Sequence, residues 1–395
     1  MLIRNPYILN FMKNKKQIAV VVIPTYNEVD SIGKMITHLF TKTFPSASNW
    51  HCKLLIVDDT SPDGTYKVVQ KNQKKYEDLH LLLNKEKAGI GNAYVKGFKK
   101  AMKDLKADVI IEFDSDFQHP PETIPVMLKE IDAGADYVLG SRKIKGGSNP
   151  KGWGFKRVFF SEVGGLMARM ILFFPFKNFF KITDPTTGLK ASRVKGFVDT
   201  IDIDNLYSKK FGYKLEFLFK MILQGAKLKE IPLQFGLRTA GESKISGQTA
   251  SDILKTVIQL RLKDDPFVKK FLKFGTVGFV GYLVNAYFLN LFPSLGWKEI
   301  YAWVGSTELA IISNFTLNNL WTFKSDKISG LGQLTKKFLQ FNFTSAGALI
   351  IQSVTGAAGV HYLGVNRQLL LPFIIVFLVL PYNWLMYNKV IWKKK

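Results

Sequence analysis

The sequence predicts an α/β domain built on a mostly parallel sheet, followed by an all-α transmembrane domain of four helices. Three observations carry this. Short unbroken apolar runs in the first 245 residues alternate with segments of helical periodicity, the pattern of parallel strands covered on both faces. Each run stops abruptly at a polar cluster. In the last third the apolar residues lengthen into stretches that approach the ~20 residues needed to cross a bilayer.

The first strand is the run Ile18 to Ile23, which breaks at Pro24-Thr25-Tyr26-Asn27-Glu28. Asp30 or Ser31 caps a helix with Ile32, Met35, Ile36, Leu39 and Phe40 at helical spacing. A second strand, Leu54 to Val57, ends in Asp58-Asp59-Thr60-Ser61-Pro62-Asp63, and a third, Leu79 to Leu83, leads to Lys87-Ala88-Gly89. The fourth strand ends in Glu112-Phe113-Asp114-Ser115-Asp116-Phe117-Gln118-His119-Pro120-Pro121, and the fifth, Tyr137 to Gly140, in Ser141-Arg142. The double proline stops the fourth strand from continuing as helix or sheet.

In open α/β sheets ligands bind at the carboxyl ends of strands, where every one of these clusters falls. Asp114, Asp116 and Gln118 offer the hard oxygen ligands that Mg²⁺ or Mn²⁺ prefers. Glu28 and Asp59 suit a base or ribose hydroxyls, and Lys87 and Arg142 suit phosphates. For each residue singly, helix capping or loop solvation is the competing account. Neither a dinucleotide fingerprint nor a P-loop is present in the sequence.

A length of 395 residues fits one large domain or two. The net charge of +24 points to an anionic partner, whether membrane surface, phosphorylated substrate or nucleic acid. No nucleic-acid recognition motif accompanies the charge, and the membrane spans account for it better. Cys52 is the single cysteine, which excludes a disulfide framework and a cysteine metal site. Residues 1–17 read as a basic tail rather than a signal peptide.

The motifs Pro24-Thr25-Tyr26-Asn27-Glu28, Val57-Asp58-Asp59 with Ser61-Pro62-Asp63, Asp114 to Glu122 and Gly140-Ser141-Arg142 together resemble family 2 glycosyltransferases, and more narrowly polyprenol-phosphate (dolichol-phosphate) mannose synthases. The resemblance spans roughly residues 18–250. It implies a GT-A fold and transfer of a hexose, with inversion, from a nucleotide-sugar donor to a polyprenyl or dolichyl phosphate. GDP-mannose is the favoured donor and UDP-glucose the alternative. A different class of function, a lipid flippase regulated by nucleotide-sugar, is the rival. Carried onto matching positions, Pro24, Tyr26, Glu28, Val57 and Asp59 would surround the nucleoside. Asp114 and Ser115 would lie beside its ribose and diphosphate, Asp116 and Gln118 would hold the metal, and Arg142 would approach the donor.

Beyond the strands, Trp153 opens a segment over about residues 155–180 crowded with Phe159, Phe160, Val163, Met167, Met170 and Phe174 among basic residues. Such a helix suits the membrane interface better than a buried core. The resemblance places Arg157, with Ser161, at the acceptor phosphate. Thr183-Asp184-Pro185-Thr186-Thr187-Gly188 resembles the family's second acidic turn. Glu216 is offset from the family's glutamate and takes no role. Arg238-Thr239-Ala240-Gly241-Glu242-Ser243-Lys244 matches the family's closing loop, in which Arg238 and Lys244 clamp phosphates.

An amphipathic helix with Ile253, Leu254, Val257 and Ile258 on one face reads as a second interfacial element, so 251–270 is interfacial helix and linker. Spans at about 271–292, 302–323, 338–360 and 369–387 make up a membrane domain over 271–395. Its stretch Asn314-Phe315-Thr316-Leu317-Asn318-Asn319-Leu320-Trp321-Thr322-Phe323 resembles GtrA-like domains, which often accompany prenyl-phosphate sugar pathways. Glu308, inside a span, is either a functional group or a partner in helix–helix hydrogen bonding. The lysines of the 324–337 loop and of the C-terminal tail place both in the cytoplasm with the catalytic domain.

Overall fold

The computed structural model describes residues 16–85, 89–237 and 247–393. The chain divides into two compact units, Met1–Arg261 and Leu262–Lys395.

The first unit is built on a seven-stranded sheet. Its strands are β1 (Gln17–Thr25), β2 (Trp50–Asp58), β3 (Leu79–Leu83), β4 (Val109–Glu112), β5 (Tyr137–Ser141), β6 (Lys190–Arg193) and β7 (Leu228–Pro232), in the order β3-β2-β1-β4-β6-β5-β7. Only β6 runs against its neighbours, β4 and β5. The five expected strands are all present. β6 and β7 carry too few apolar residues to announce themselves: two of the four residues of β6 are the buried but polar Lys190 and Ser192.

Alternate residues of β1 serve opposite layers. Val20 and Val22 join Tyr94, Phe98 and Phe217 on one face, while Ala19, Val21 and Ile23 join Ile32, Met35 and Met127 on the other. The flanking helices are α1 (Val29–His38), α2 (Thr65–Gln73), α3 (Ile90–Lys103) and α4 (Thr123–Asp132). From β1 the chain first builds outward to β2 and β3, then returns to place β4 on the other side of β1. A crevice therefore opens between the carboxyl ends of β1 and β4.

Three further long helices belong to this unit: α5 (Phe155–Phe173), α6 (Tyr213–Leu223) and α7 (Gly247–Gln259); the expected 155–180 helix ends at Phe173, and a separate short helical turn covers Lys177–Lys181. On α5, Ala168, Leu172 and Phe173 turn into the core, whereas Phe155, Phe159, Phe160, Val163, Met167 and Met170 are exposed. The single apolar face expected on α7 is divided. Val257 is buried, Ile253 packs against the core, and only Leu254 and Ile258 are exposed. Asp252 ties this helix to the first unit by accepting hydrogen bonds from Ser208 Oγ and the Gly212 amide. Helical spacing reports which residues share a face, not what covers it.

The second unit is helical: α8 (Pro266–Ser294), α9 (Glu299–Leu317), α10 (Leu331–Leu363) and a fourth stretch from Arg367 to Ile391 in which α-helical turns alternate with wider ones. These correspond to the four expected spans. Among the described residues, α8 and α10 are the two long and apolar enough to cross a membrane singly. Phe274, Phe315, Phe323, Phe341, Tyr387 and Trp392 form its core. Lys270 reaches Asn388, and Lys337 reaches the Val390 carbonyl. The start of α8, the first turns of α10 (where Lys336 and Lys337 stand, rather than in the expected 324–337 loop) and residues 388–390 thus lie at one end of this unit. Asn319 closes that end by accepting from Ile328 N and Trp392 Nε1, a structural role for the asparagine-rich motif. Glu308 is exposed on the outer surface of α9.

Candidate active site

A cavity of about 820 Å³ occupies the crevice at the carboxyl ends of β1 and β4. Pro24, Tyr26, Glu28 and Asp59 line one side. The loop after β1 is fastened to the loop after β2. The Thr25 hydroxyl donates to Asp58 Oδ2 at 2.7 Å, Asn27 N to Ser61 Oγ at 3.1 Å, and Glu28 N to Thr65 Oγ1 at 2.9 Å. Asp63 accepts from Thr65 N at the start of α2 and also from Val29 N. The adjacent aspartates after β2 divide the work: Asp58 is fully buried and consumed by Thr25 and Ser61, while Asp59 faces the cavity and accepts from Asn84 at 2.7 Å. Val57 does not reach the cavity. Its side chain is buried against Gly97 of α3, where an added Cβ would come within 3.1 Å of it.

After β4 the chain turns sharply, with Phe117 in the left-handed region at φ 59°. This unfavourable conformation for a bulky residue brings the side chains before and after it into one turn. Asp116 Oδ1 accepts from Gln118 N at 3.1 Å, and Gln118 Nε2 donates to Gly236 O at 3.2 Å. The amide is thereby oriented, so that its oxygen is the atom left to serve as a ligand beside the Asp116 carboxylate. Asp114, Ser115, Asp116 and Gln118 all line the cavity. This hard-oxygen set fits Mg²⁺ or Mn²⁺, with the remaining positions available to phosphate oxygens. Among the described residues no cluster of three or more His, Cys, Asp or Glu forms a metal cage.

His119 closes the floor of the turn. It is 1% exposed, its Nδ1 lies 3.4 Å from Asp114 Oδ2, and its ring meets Phe113 and Phe235. Burial, assisted by Lys214 and Arg142, lowers it to about 4 against the pull of Asp114. The imidazole is therefore neutral at physiological pH, a wall of the site rather than an acid.

Arg142, at the end of β5, forms a two-pronged ion pair with Asp184: Nε to Oδ2 at 2.6 Å and Nη2 to Oδ1 at 2.8 Å. Burial alone would raise the Asp184 carboxyl, but the hydrogen bonds and charge of Arg142 outweigh it and hold it below the usual carboxylate range. Glu230 of β7 braces the same turn by accepting from Thr183 N at 2.8 Å. The second acidic turn is thus the anchor of Arg142, a pairing that nothing in the spacing of residues 142 and 184 announces.

Across the cavity, Trp153, Arg157 and Phe235 line a basic and aromatic wall, with the Arg157 guanidinium over the Trp153 ring at 4.3 Å. Ser161 lies one turn further along α5, half-buried and outside the cavity lining. Arg238 and Lys244 lie outside the described residues, as does Lys87.

A buried ionic group underlies the site. Glu112, the last residue of β4, stands opposite Lys190 in the antiparallel register and accepts from Tyr213 Oη at 2.6 Å. Lys190 Nζ donates to the Lys214 carbonyl at 2.6 Å. Burial raises Glu112 against the opposing pull of Lys190 and Lys214. Burial also lowers Lys190 to about 8, with Glu112 opposing the shift. Beside this group, Lys214 reaches the cavity wall. Glu216, by contrast, is a fully buried structural residue that pairs with Lys220 at 2.8 Å and accepts from Tyr207 N.

The doubly wound sheet thus brings acidic and amide oxygens to one crevice with Arg142 and Arg157, an arrangement suited to a phosphorylated ligand. Residues 20–197 match glycosyl transferase family 2, and residues 273–392 match the GtrA/DPMS transmembrane domain. The chain is 33% identical to a dolichol-phosphate mannosyltransferase of Pyrococcus furiosus over 88% of its own length and 93% of the relative's. It is also 33% identical to an undecaprenyl-phosphate mannosyltransferase of Micrococcus luteus, over 60% of its length and 90% of the relative's. Among solved structures, glucosyl-3-phosphoglycerate synthase from Mycobacterium tuberculosis matches 65% of this chain and 84% of its own, with a TM-score of 0.47 and 16% identity. The chain belongs to the dolichol-phosphate mannosyltransferase family of glycosyltransferases, in the form that carries a GtrA-type membrane domain.

Proposed function

We propose that the protein transfers mannose from GDP-mannose to a polyprenyl phosphate, with inversion and with the aid of a divalent metal ion, at the cytoplasmic face of the membrane. One observation carries the lipid half of this reading. Helix α5 lines the cavity with Arg157 and exposes Phe159, Phe160, Val163 and Met167 further along the same helix. A lipid lying along the apolar face would bring its phosphate to the guanidinium.

The nucleoside is read at Pro24, Tyr26, Glu28 and Asp59, and its diphosphate meets Ser115, Asp116 and Gln118. Bound there, Mg²⁺ or Mn²⁺ supplies charge neutralisation for the departing nucleoside diphosphate. Arg238 and Lys244 add positive charge for the same group. The acceptor phosphate monoester, whose second pKa is about 6, is itself an anion at neutral pH. It needs orientation rather than a base, in keeping with the neutral, walled-in His119. Arg157 and Arg142 bring two mutually repelling anions together, and the alignment of phosphate with anomeric carbon contributes the remainder. The exposed aromatic face of α5 would sit in the interface, and the lysine-rich end of the second unit would face the cytoplasm.

Purified full-length protein with Mn²⁺ and a short polyprenyl phosphate, offered GDP-mannose and UDP-glucose in parallel, tests the proposal. Mannolipid from GDP-mannose alone is the expected product. Glucolipid alone would reassign the donor, and no glycolipid from either would sink the synthase reading.

A further inference from the structure

We propose that Lys214 is a substrate-contacting residue of this site, its ammonium binding a phosphate oxygen. The inference rests on the transfer reaction above, which supplies phosphate in two forms, the donor's diphosphate and the acceptor's monoester.

Lys214 stands in the first turn of α6 and lines the cavity, yet it is only 4% exposed. A charge removed from water is unfavourable unless an opposite charge or hydrogen bonds replace the lost solvation. Among the described residues no carboxylate lies within 4.0 Å of its Nζ. Its neighbours are instead the rings of Phe211 at 5.5 Å and Tyr94 at 5.8 Å. The buried carboxylate below is held by another group: Glu112 Oε2 accepts from Tyr213, and its Oε1 has no hydrogen-bond partner. Glu112 feels the charge of Lys214 without forming an ion pair with it. Lys190 is spent on the Lys214 carbonyl. Among the described residues neither buried ammonium, Lys190 nor Lys214, has a carboxylate within 4.0 Å, and the one that reaches the cavity is Lys214.

Its position selects the ligand. A Cβ on Gly188 would come to 2.9 Å from Lys214 Nζ and equally close to His119 Cε1. The ammonium therefore borders both the 184–188 turn anchored to Arg142 and the turn bearing Asp116 and Gln118. Glycine at 188 leaves room beside it. A site flanked by a metal-ligand turn and an anchored arginine, with a buried ammonium that has no carboxylate within 4.0 Å, fits an anionic oxygen rather than a neutral hydroxyl.

The test compares the full chain in detergent with Lys214→Met and Lys214→Arg. Calorimetric titrations with guanosine, GDP, uridine and UDP, all with Mg²⁺, are run beside the KM for farnesyl phosphate. Lys214→Met is expected to weaken GDP or UDP binding about tenfold or more while leaving the bare nucleosides unchanged, with partial recovery in Lys214→Arg. A comparable rise confined to the KM for farnesyl phosphate would also support the proposal and identify the monoester as the bound group. A folded Lys214→Met variant with unchanged diphosphate binding and unchanged KM overturns it. So does an equal loss of nucleoside and diphosphate binding, which marks a purely structural residue. If the methionine variant does not fold, Lys214→Gln, uncharged but still a donor, is scored by the same criteria. Unmodified protein that binds neither GDP nor UDP and makes no glycolipid sinks the transfer reading together with this inference. Normal binding by unmodified protein and an unaffected variant sinks this inference alone.

Discussion

Asp184 accepts both prongs of the Arg142 guanidinium at 2.6 and 2.8 Å, and the two side chains are 2% and 10% exposed. The pair fastens the end of β5 to the turn before β6, so one wall of the cavity is cross-linked by charge rather than by packing. Removing one partner leaves the other buried and uncompensated. Asp184→Ala should therefore cost about 3–5 kcal/mol, read as a lower unfolding midpoint of the full chain. The pH dependence has a definite sign. Because the folded carboxyl is held below its ordinary value of 3.8, the stabilisation is complete above that pH and is lost as the pH falls through the folded value. Asp184→Ala should remove that acid-side loss.

Lys190 predicts the opposite limb. Its folded value of about 8 lies below the ordinary 10.5, so between them the unfolded chain binds more protons than the folded one. Stability should rise with pH from about 8 towards 10. Above 10 the buried Tyr94 and Tyr213, both raised well above that value, reverse the trend. Denaturation of Lys190→Met at pH 8 and pH 9.5 should show the rise flattened. An unaltered slope would contradict the burial of this amine.

For the turn after β4, Asp116→Ala should lower turnover about 100-fold or more, while Gln118→Ala should do so to a smaller degree because a neutral amide is the weaker ligand. Chelation with EDTA should abolish turnover, and added Mn²⁺ should restore it. Full activity of Asp116→Ala would show that the carboxylate is not a ligand.

The exposed face of α5 is separable from the nucleotide side. Phe160→Glu or Met167→Glu should raise the KM for long-chain polyprenyl phosphates about tenfold through lost apolar contact, with GDP binding unchanged. An unchanged KM would place the lipid elsewhere.

Gly97 tests the packing beneath the nucleoside side. An added Cβ would lie 2.6 Å from Val22 Cγ1 and 3.1 Å from Val57 Cγ2. Gly97→Ala should cost about 1–3 kcal/mol by overpacking, measured as a lower unfolding midpoint. A neutral result would mean that α3 can move away from the sheet.

Much of the architecture was legible in the residues because its signals are local. Strands β1 to β5 are short apolar runs, the polar clusters follow them directly, and the four membrane segments are long apolar stretches. Asp59, Asp114, Asp116 and Gln118 lie within a few residues of a strand end, so their place at the crevice follows from the α/β rule alone. β6 escaped that reading because its buried members Lys190 and Ser192 are polar, and the burial of Lys190 makes sense only beside the Lys214 carbonyl and Glu112 across the sheet. The amphipathic stripe of α7 was visible as a stripe, but whether core or surface met it depended on residues far away in the chain.

By itself, then, the sequence determined the strand–helix alternation, the acidic turn with its candidate metal ligands, the basic aromatic helix and the membrane segments, because each is encoded by neighbours in the chain. Only the tertiary structure decided that Arg142 is held by Asp184, that Val57 belongs to the core while Asp59 faces the cavity, and that the buried Lys214 lines the cavity with no carboxylate within 4.0 Å. Those outcomes depend on which side chains share a low-dielectric space after folding. Contacts spanning tens of residues leave no period or spacing in the chain that would reveal them.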